Sequence, residues 1–216
     1  MAINPTPGTT SLVDRARNII LKPKSEWPVI DAEPATIGGI YRGYVMILAA
    51  IPVVAGLVGM LVFGMSVLGI TYRPSPVYAI VSAVIQYLLS LGSCYVLALI
   101  IEALAPTFGG TKDRVKAFKV AAYGATAGWL AGILAIVPAL ALIGALLGLY
   151  SLYLYYTGLP VLMKVSNDKA LGYVIAVIVA AIVLFFIVGY ITAALVGTFV
   201  GNPYSVGTGG TITLPG

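Results

Sequence analysis

Polar side chains recur along one face of an otherwise apolar segment of the chain. Ser82, Gln86, Ser90 and Ser93 follow a spacing of four, four and three residues, which places them on one face of a helix. Amide and hydroxyl groups buried in lipid need hydrogen-bond partners, so this stripe could line a polar pathway. The simpler interpretation is hydrogen bonding between neighbouring helices, worth about 0.6 kcal/mol per bond.

Glu102 is the one acid inside a long apolar context. An ionisable residue within a membrane segment is a candidate functional residue, and Glu102 therefore joins the candidate polar pathway. It lies near the end of the segment, and Arg114 and Lys116 follow in the next loop. This shallow position favours an interfacial or structural role, with one of those two cations as its partner.

A second set of candidate residues is basic or aromatic and flanks the apolar segments. A cationic face attracts anionic lipid headgroups or an acidic protein, and tyrosine and tryptophan are enriched at the membrane interface. The candidate lipid or partner contacts are Arg15, Lys22, Lys24, Trp27, Lys112, Arg114, Lys116, Lys119, Tyr155, Tyr156 and Lys164. For the tyrosines, an aromatic belt at the interface is the simpler interpretation.

Catalytic chemistry has little support in the sequence. The chain has no histidine and one cysteine, Cys94, which excludes a histidine-based general base, triad or metal site and a disulfide framework. No glycine-rich phosphate-binding fingerprint is present. We expect no enzymatic activity, no cofactor, no metal site and no nucleic-acid partner.

The elements that must position these residues are membrane helices. Of the 216 residues, 60% are hydrophobic and 9% are charged, and the mean hydropathy is +1.04. Soluble domains of this size carry about 25% charged residues, so this chain cannot cover a globule with polar surface. The expected fold class is all-α, a polytopic membrane protein.

Five apolar stretches are long enough to cross a membrane, since a spanning helix needs about 20 residues. We predict spans at 44–65, 77–101, 120–137, 139–159 and 171–200, with Pro138 dividing the third from the fourth. They form a transmembrane domain over residues 44–200. Residues 1–43 precede it, and the Gly-, Thr- and Pro-rich tail 201–216 is expected to be disordered.

The Lys/Arg distribution predicts the orientation. Five spans place eleven of the twelve cations on one side, in the N-terminal segment and the loops after spans 2 and 4, and leave Arg73 on the other. Cytoplasmic loops are enriched in Lys and Arg. We therefore expect a cytoplasmic N-terminus, an extracytoplasmic tail and a place in the cell's inner membrane.

The N-terminal segment contains a predicted helix. Ser11 and Asp14 form a capping pattern, Leu12, Ala16 and Ile19 share one side, and Pro23 stops the helix. Such a helix could lie in the interface, with its apolar face in lipid and Lys22, Lys24 and Trp27 at the headgroups. It could equally pack on the cytoplasmic loops of the bundle.

Glycine stripes predict close helix packing. Gly124, Gly128 and Gly132 recur every four residues in span 3, and similar stripes occur in spans 4 and 5. They could form the face of a homo-oligomer. Packing within one bundle is favoured, because three of the five helices carry such stripes and can serve each other.

Three stretches resemble bacterial members of the Yip1 family. They are "NIILKPKSEWPVIDAEPATIGGIYRGYVMILAAIP", "APTFGGTKDRVKAFKVAAYG" and "YLYYTGLPVLMKVSNDKALGY", within a resemblance that extends over residues 13–200. It implies five spans and a cytoplasmic N-terminus. Eukaryotic relatives associate with Rab-type GTPases and vesicle-forming machinery. Here "GGIYRGY" replaces their Asp-Leu-Tyr-Gly-Pro element, so GTPase binding does not carry over.

Two functions are therefore expected as alternatives. The first is a non-enzymatic scaffold or adaptor that engages lipids or a protein partner through its basic cytoplasmic face. The second is a carrier or channel for a small solute or lipid, which would use the polar stripe of span 2. A continuous polar cavity reaching that stripe would favour the second function.

Overall fold

The computed structural model describes residues 11–67, 70–200 and 211–213. Two short helices come first, α1 (Leu12–Leu21) and α2 (Pro23–Ala32). The Ser11 hydroxyl accepts a hydrogen bond from the Asp14 amide at 3.1 Å and caps α1, while Pro23 occupies the first position of α2, where its missing N–H costs nothing. The predicted N-terminal helix is therefore present and ends before Pro23.

Span 1 extends over Ile37–Val62. It consists of α3 (Ile37–Ile40), a π-helical turn (Tyr41–Val45) and α4 (Met46–Val62). Two short antiparallel strands, β1 (Met65–Val67) and β2 (Ile70–Arg73), connect it to span 2. A third strand, β3 (Thr211–Thr213), pairs with β2. The rest of the tail that is expected to be disordered lies outside the described residues.

Span 2 extends over Pro76–Phe108. It consists of α5 (Pro76–Leu104) and a 3-10 turn (Ala105–Phe108). Ser75 caps α5, because its hydroxyl accepts a hydrogen bond from the Tyr78 amide. The Tyr87 hydroxyl donates to the Met46 carbonyl at 2.9 Å, which fixes α5 against α4.

Spans 3 and 4 are divided at Pro138, as predicted. Span 3 contains α6 (Arg114–Gly124), α7 (Thr126–Ala131) and a 3-10 turn (Gly132–Ile136). Span 4 contains a 3-10 turn (Pro138–Leu140), α8 (Ala141–Gly148) and α9 (Tyr150–Met163). Lys164 ends α9 with a positive φ of 57°, and α10 (Asn167–Val200) then forms span 5.

The part of the chain that the structure describes thus holds five helical segments long and apolar enough to cross a membrane. Large apolar side chains remain exposed on their outer faces, for example Phe185, Tyr190 and Phe199, each more than 70% exposed. Exposed apolar area on this scale is typical of a lipid-facing surface. The buried core instead joins residues of α1, α2 and all five spans, and Ile19, Trp27 and Phe118 are among its members.

Candidate functional site: the charged end of the bundle

Ion pairs join the N-terminal helices to the bundle. The charged end, as we call it, consists of residues 11–42, which include α1 and α2, together with the C-terminal end of α5, residues 105–113, the start of α6 and residues 163–169. Every acid of the chain lies there, together with eleven of its twelve cations. The two pairs that Asp31 forms with Lys116 and Lys164 join elements far apart in sequence.

Arg15 lies at the centre of the first group of charges. Its guanidinium donates to Glu26 in α2 and to Glu33 just beyond it, and it lies 5.7 Å from the centre of the Tyr123 ring in span 3. The Arg15 and Glu26 side chains are only 5% and 9% exposed. Burial alone would lower the pKa of Arg15, but the hydrogen bond to Glu33 and the charges of both carboxylates raise it.

Asp31 lies at the centre of the second group. Its carboxylate pairs with Lys116 at the start of α6, at 2.8 Å, and with Lys164 after α9, at 2.6 Å. Burial would raise the pKa of Asp31, but the hydrogen bonds to both lysines lower it below its ordinary value. One residue of the N-terminal segment thus connects spans 3 and 4.

Lys119 binds the end of α2. Its ammonium donates to the backbone carbonyls of Ile30 and Glu33 at 2.6 and 2.5 Å. The last carbonyls of a helix have no partner within the helix and carry partial negative charge, so a lysine there is favourable. Lys119 is 4% exposed, which makes it part of the docking contact.

Trp27 is the deepest anchor of the N-terminal segment. Its side chain is 0% exposed, and its indole N–H donates to the Thr157 hydroxyl at 3.0 Å. A Cβ on Gly158 would lie 2.5 Å from Trp27 Cε2, so only glycine leaves room for the ring. The Tyr150 hydroxyl adds a hydrogen bond to the Ile20 carbonyl at 2.8 Å.

These contacts correct part of the predicted lipid-contact set. Arg15, Trp27, Lys119 and Tyr155 are all buried inside the protein, so their side chains are not accessible to lipid. The Tyr155 hydroxyl donates to the Ala121 carbonyl at 3.2 Å, and its ring covers Gly124. The sequence pattern could not separate these residues from exposed ones, because each is buried by an element distant in sequence.

The remaining members of the predicted set are accessible. Tyr156 is 51% exposed, and Lys22, Lys24 and Lys112 are exposed as well. Arg114, Lys116 and Lys164 are partly exposed, and each already pairs with an acid. Arg114 pairs with Glu102 at 2.8 Å, so Glu102 has one of the two partners expected for it.

The outer face of α1 was missing from the predicted set. Val13, Arg17 and Leu21 are spaced by four residues and are exposed, Val13 by 70% and Leu21 by 65%. The opposite face, with Arg15, Ala16 and Ile19, is buried against the protein. Helix α1 is therefore docked on the bundle through one face and presents a cation between two apolar side chains on the other.

The polar stripe of span 2 divides into two parts. Gln86, Ser90 and Ser93 line a cavity of about 360 Å³ between the spans. Ser82 does not line it, and Glu102 lies at the charged end in its pair with Arg114. The predicted set is thus not one continuous pathway.

The glycine stripes of spans 3 and 4 are used within the bundle. Gly124 packs under Tyr155 and Gly132 against Pro52, and a Cβ on Gly148 would lie 3.8 Å from the Gly128 Cα. In span 5, Gly189 and Gly197 have open space where a Cβ would stand. Packing inside one chain therefore accounts for the first two stripes and leaves the third without a described neighbour.

Residues that sequence reasoning missed are chiefly the partners of the cations. Glu26, Asp31 and Glu33 lie within 18 residues of Arg15, and their signal was the enrichment of acids in the N-terminal segment. Thr157 and Gly158 gave no such signal. In the described ranges, no cluster of three His, Cys, Asp or Glu side chains is placed to hold a metal ion.

The fold and the charged end define a polytopic membrane protein with five candidate spans and a docked N-terminal segment. The sequence model of the Yip1 domain matches residues 17–203, and the chain belongs to the Yip1 family. It is 28% identical to inner membrane protein YohC of Escherichia coli strain K12 over 155 residues, which cover 70% of this chain and 80% of YohC. YohC of Escherichia coli strain CFT073 gives the same values. No solved structure matches the chain.

Proposed function

We propose that this protein is a non-enzymatic membrane scaffold that engages anionic lipid headgroups through its charged end, on the cytoplasmic side of the inner membrane. The proposal rests on cations that are exposed and form no ion pair with an acid. Arg17, Lys22 and Lys24 are exposed, and in the described part of the chain none of them pairs with an acid. They are free to meet phosphate groups.

The apolar neighbours of these cations support a membrane-surface location. Val13 and Leu21 flank Arg17 on the exposed face of α1. In an interfacial helix, apolar side chains enter the acyl boundary while cations reach the headgroups. One face of α1 thus docks on the bundle, and the other has the composition of an interfacial anchor.

The distribution of Lys and Arg supports the cytoplasmic side, and the relative supports the inner membrane. The loops with most Lys and Arg are cytoplasmic in membrane proteins, and YohC is named an inner membrane protein. The C-terminal tail would then be extracytoplasmic, because five spans place the two ends of the chain on opposite sides.

Lipid retention in native mass spectrometry tests the proposal. The variant Arg17→Gln/Lys22→Gln/Lys24→Gln removes three of the unpaired cations, and Arg73→Gln, near the other end of the bundle, is the matched control. A cation near an anionic surface contributes about 1 kcal/mol, so we expect at least a tenfold loss of retained anionic lipid in the triple variant. The difference should shrink with salt, because exposed charges are screened. Equal loss in the control would contradict the proposal.

An acidic protein partner is the competing occupant of this surface. Crosslinking pull-down from native membranes with the same triple variant distinguishes the two. Substitution is preferable to removal of residues 1–30, because that deletion would also remove Ile19 and Trp27, both 0% exposed. If the triple variant loses one crosslinked protein and retains its lipid, that protein and not the lipid is the occupant of this surface.

A further inference from the structure

The cavity between the spans has the properties of a ligand site. Its volume of about 360 Å³ lies in the range of about 300–1,000 Å³ that small-molecule pockets occupy. All five spans contribute to its lining, for example through Val53, Gln86, Ala125, Tyr155 and Ala181. Its walls are mostly apolar, and apolar cavities stay dry. This lining therefore argues against a water-filled channel.

The two ends of the cavity differ in accessibility. Cys94, Leu97 and Tyr155 form a closed end, and each is at most 6% exposed. Gln86 and Phe185 line the other end and are exposed, Phe185 by 72%. The cavity is therefore a pocket that opens beside an apolar outer surface, where a bilayer would supply acyl chains.

Gln86 lines the pocket and has no hydrogen-bond partner among the described residues. The Ser90 and Ser93 hydroxyls donate to the backbone carbonyls of Tyr87 and Ser90, at 2.7 and 2.9 Å. Among the described residues, no group forms a hydrogen bond with the Gln86 amide. Gln86 lies six residues from the middle of Pro76–Phe108, or about 9 Å along the helix axis. That position is within the 15 Å half-thickness of about 30 Å of hydrocarbon.

An amide at that depth needs a hydrogen-bond partner, because lipid tails offer none. We propose that the pocket binds one acyl chain of a bilayer phospholipid, with its ester carbonyl accepting a hydrogen bond from the Gln86 amide. The chain fills the closed apolar end, where the Tyr155 hydroxyl is already bonded to the Ala121 carbonyl at 3.2 Å. This site is independent of the cations of the charged end.

Photocrosslinking in nanodiscs tests this site. The protein is placed in zwitterionic phosphatidylcholine containing a trace of phosphatidylcholine with a terminal diazirine on one acyl chain, so that attraction to the exposed cations plays no part. After irradiation, peptides are mapped by mass spectrometry. We expect adducts at Cys94 and Leu97, which are buried, in addition to adducts at the lipid-facing Phe185 and Phe186.

Three variants decide the outcome. Ala181→Trp fills the pocket and should lower the Cys94 and Leu97 adducts at least fivefold, while Gln86→Leu should lower them about threefold and preserve the pocket's shape. Leu88→Trp is the control, since Leu88 lies on the same helix, is 61% exposed and does not line the pocket. Adducts at Phe186, which is 68% exposed and does not line the pocket, should stay constant in every variant. Absence of adducts at the closed end, or adducts that survive both Ala181→Trp and Gln86→Leu, would overturn the proposal.

Discussion

At the scale of single residues, Gly158 decides whether the N-terminal segment docks. The Trp27 ring lies where a Cβ of residue 158 would stand, so Gly158→Val forces the ring out of its site. Overpacking of this kind costs about 1–3 kcal/mol. In a Trp129→Phe background, we expect Trp27 emission to move to longer wavelengths and to become accessible to acrylamide.

Gly189→Val is the matched control for that substitution. Gly189 also lies in a membrane helix, but nothing is within 4 Å of its Cβ position. Its emission spectrum should equal that of the Trp129→Phe parent. Unchanged Trp27 emission in Gly158→Val would show that the ring is not held against α9.

The buried ion pair of Arg15 affects the stability of the fold. It pairs with Glu26, and both side chains are less than 10% exposed. Removal of one partner from a buried ion pair costs about 3–5 kcal/mol, because the other charge stays buried. We expect Arg15→Met to lower the thermal unfolding midpoint in detergent, and Arg15→Met/Glu26→Gln to recover most of the loss.

The exposed neighbour Arg17 provides the comparison for Arg15. Arg17→Met on the same helix changes an exposed cation and should leave the midpoint within error. If the double variant were as unstable as Arg15→Met alone, the unpaired Glu26 charge would not be the cause of the loss.

At the scale of elements, Asp31 connects α2 to the ends of α6 and α9 through Lys116 and Lys164. Its lowered pKa means that folding favours the ionised carboxylate. This contribution is complete above the ordinary aspartate pKa of about 3.9, and it is lost as pH falls through the lower, folded value. Docking of the N-terminal segment should therefore weaken on acidification below about pH 4.

Limited proteolysis of the N-terminal segment measures that dependence. Asp31→Asn cannot ionise, so the difference in cleavage rate between wild type and Asp31→Asn should be largest at neutral pH and vanish in strong acid. All other acids are common to the two proteins, which is why the difference and not the wild-type profile is diagnostic. A difference that is constant with pH would contradict a role for the Asp31 charge.

Elements are also the scale at which sequence reasoning succeeded. Apolar length predicted five spans, Pro138 marked the break between spans 3 and 4, and Ser11 and Pro23 bounded α1, because each signal is local. Docking of α2 on α9 could not be predicted in the same way. Trp27 and Thr157 are 130 residues apart, and tryptophan is equally typical of a membrane interface. Only the packing against Gly158 distinguishes the two places.

The cavity illustrates the same limit for the candidate site. The spacing of Gln86, Ser90 and Ser93 correctly placed them on one face of α5, and they line one cavity. The spacing could not show that two of the hydroxyls bond within their own helix. The spacing also could not show that Glu102 forms an ion pair with Arg114. Those outcomes depend on neighbouring helices and on side-chain rotamers.

At the scale of the whole molecule, charge is distributed very unevenly between the two ends. All seven acids and eleven cations belong to the charged end, and Arg73 is the only charged side chain elsewhere. Several of the cations at the charged end are neutralised by pairing. The positive-inside rule counts Lys and Arg rather than net charge, so the ion pairs do not weaken the predicted orientation.

Cysteine labelling in intact cells tests that orientation. In a Cys94→Ser background, Arg73→Cys and Lys112→Cys place single thiols at exposed positions near opposite ends of the bundle. We expect a membrane-impermeant maleimide to label Arg73→Cys in intact cells, and Lys112→Cys only after the membrane is opened. Arg73→Cys also removes the one cation from the far end, which strengthens the Lys/Arg bias. Labelling of Lys112→Cys in intact cells would contradict the predicted orientation. The anionic surface proposed for the charged end would then be that of the opposite leaflet.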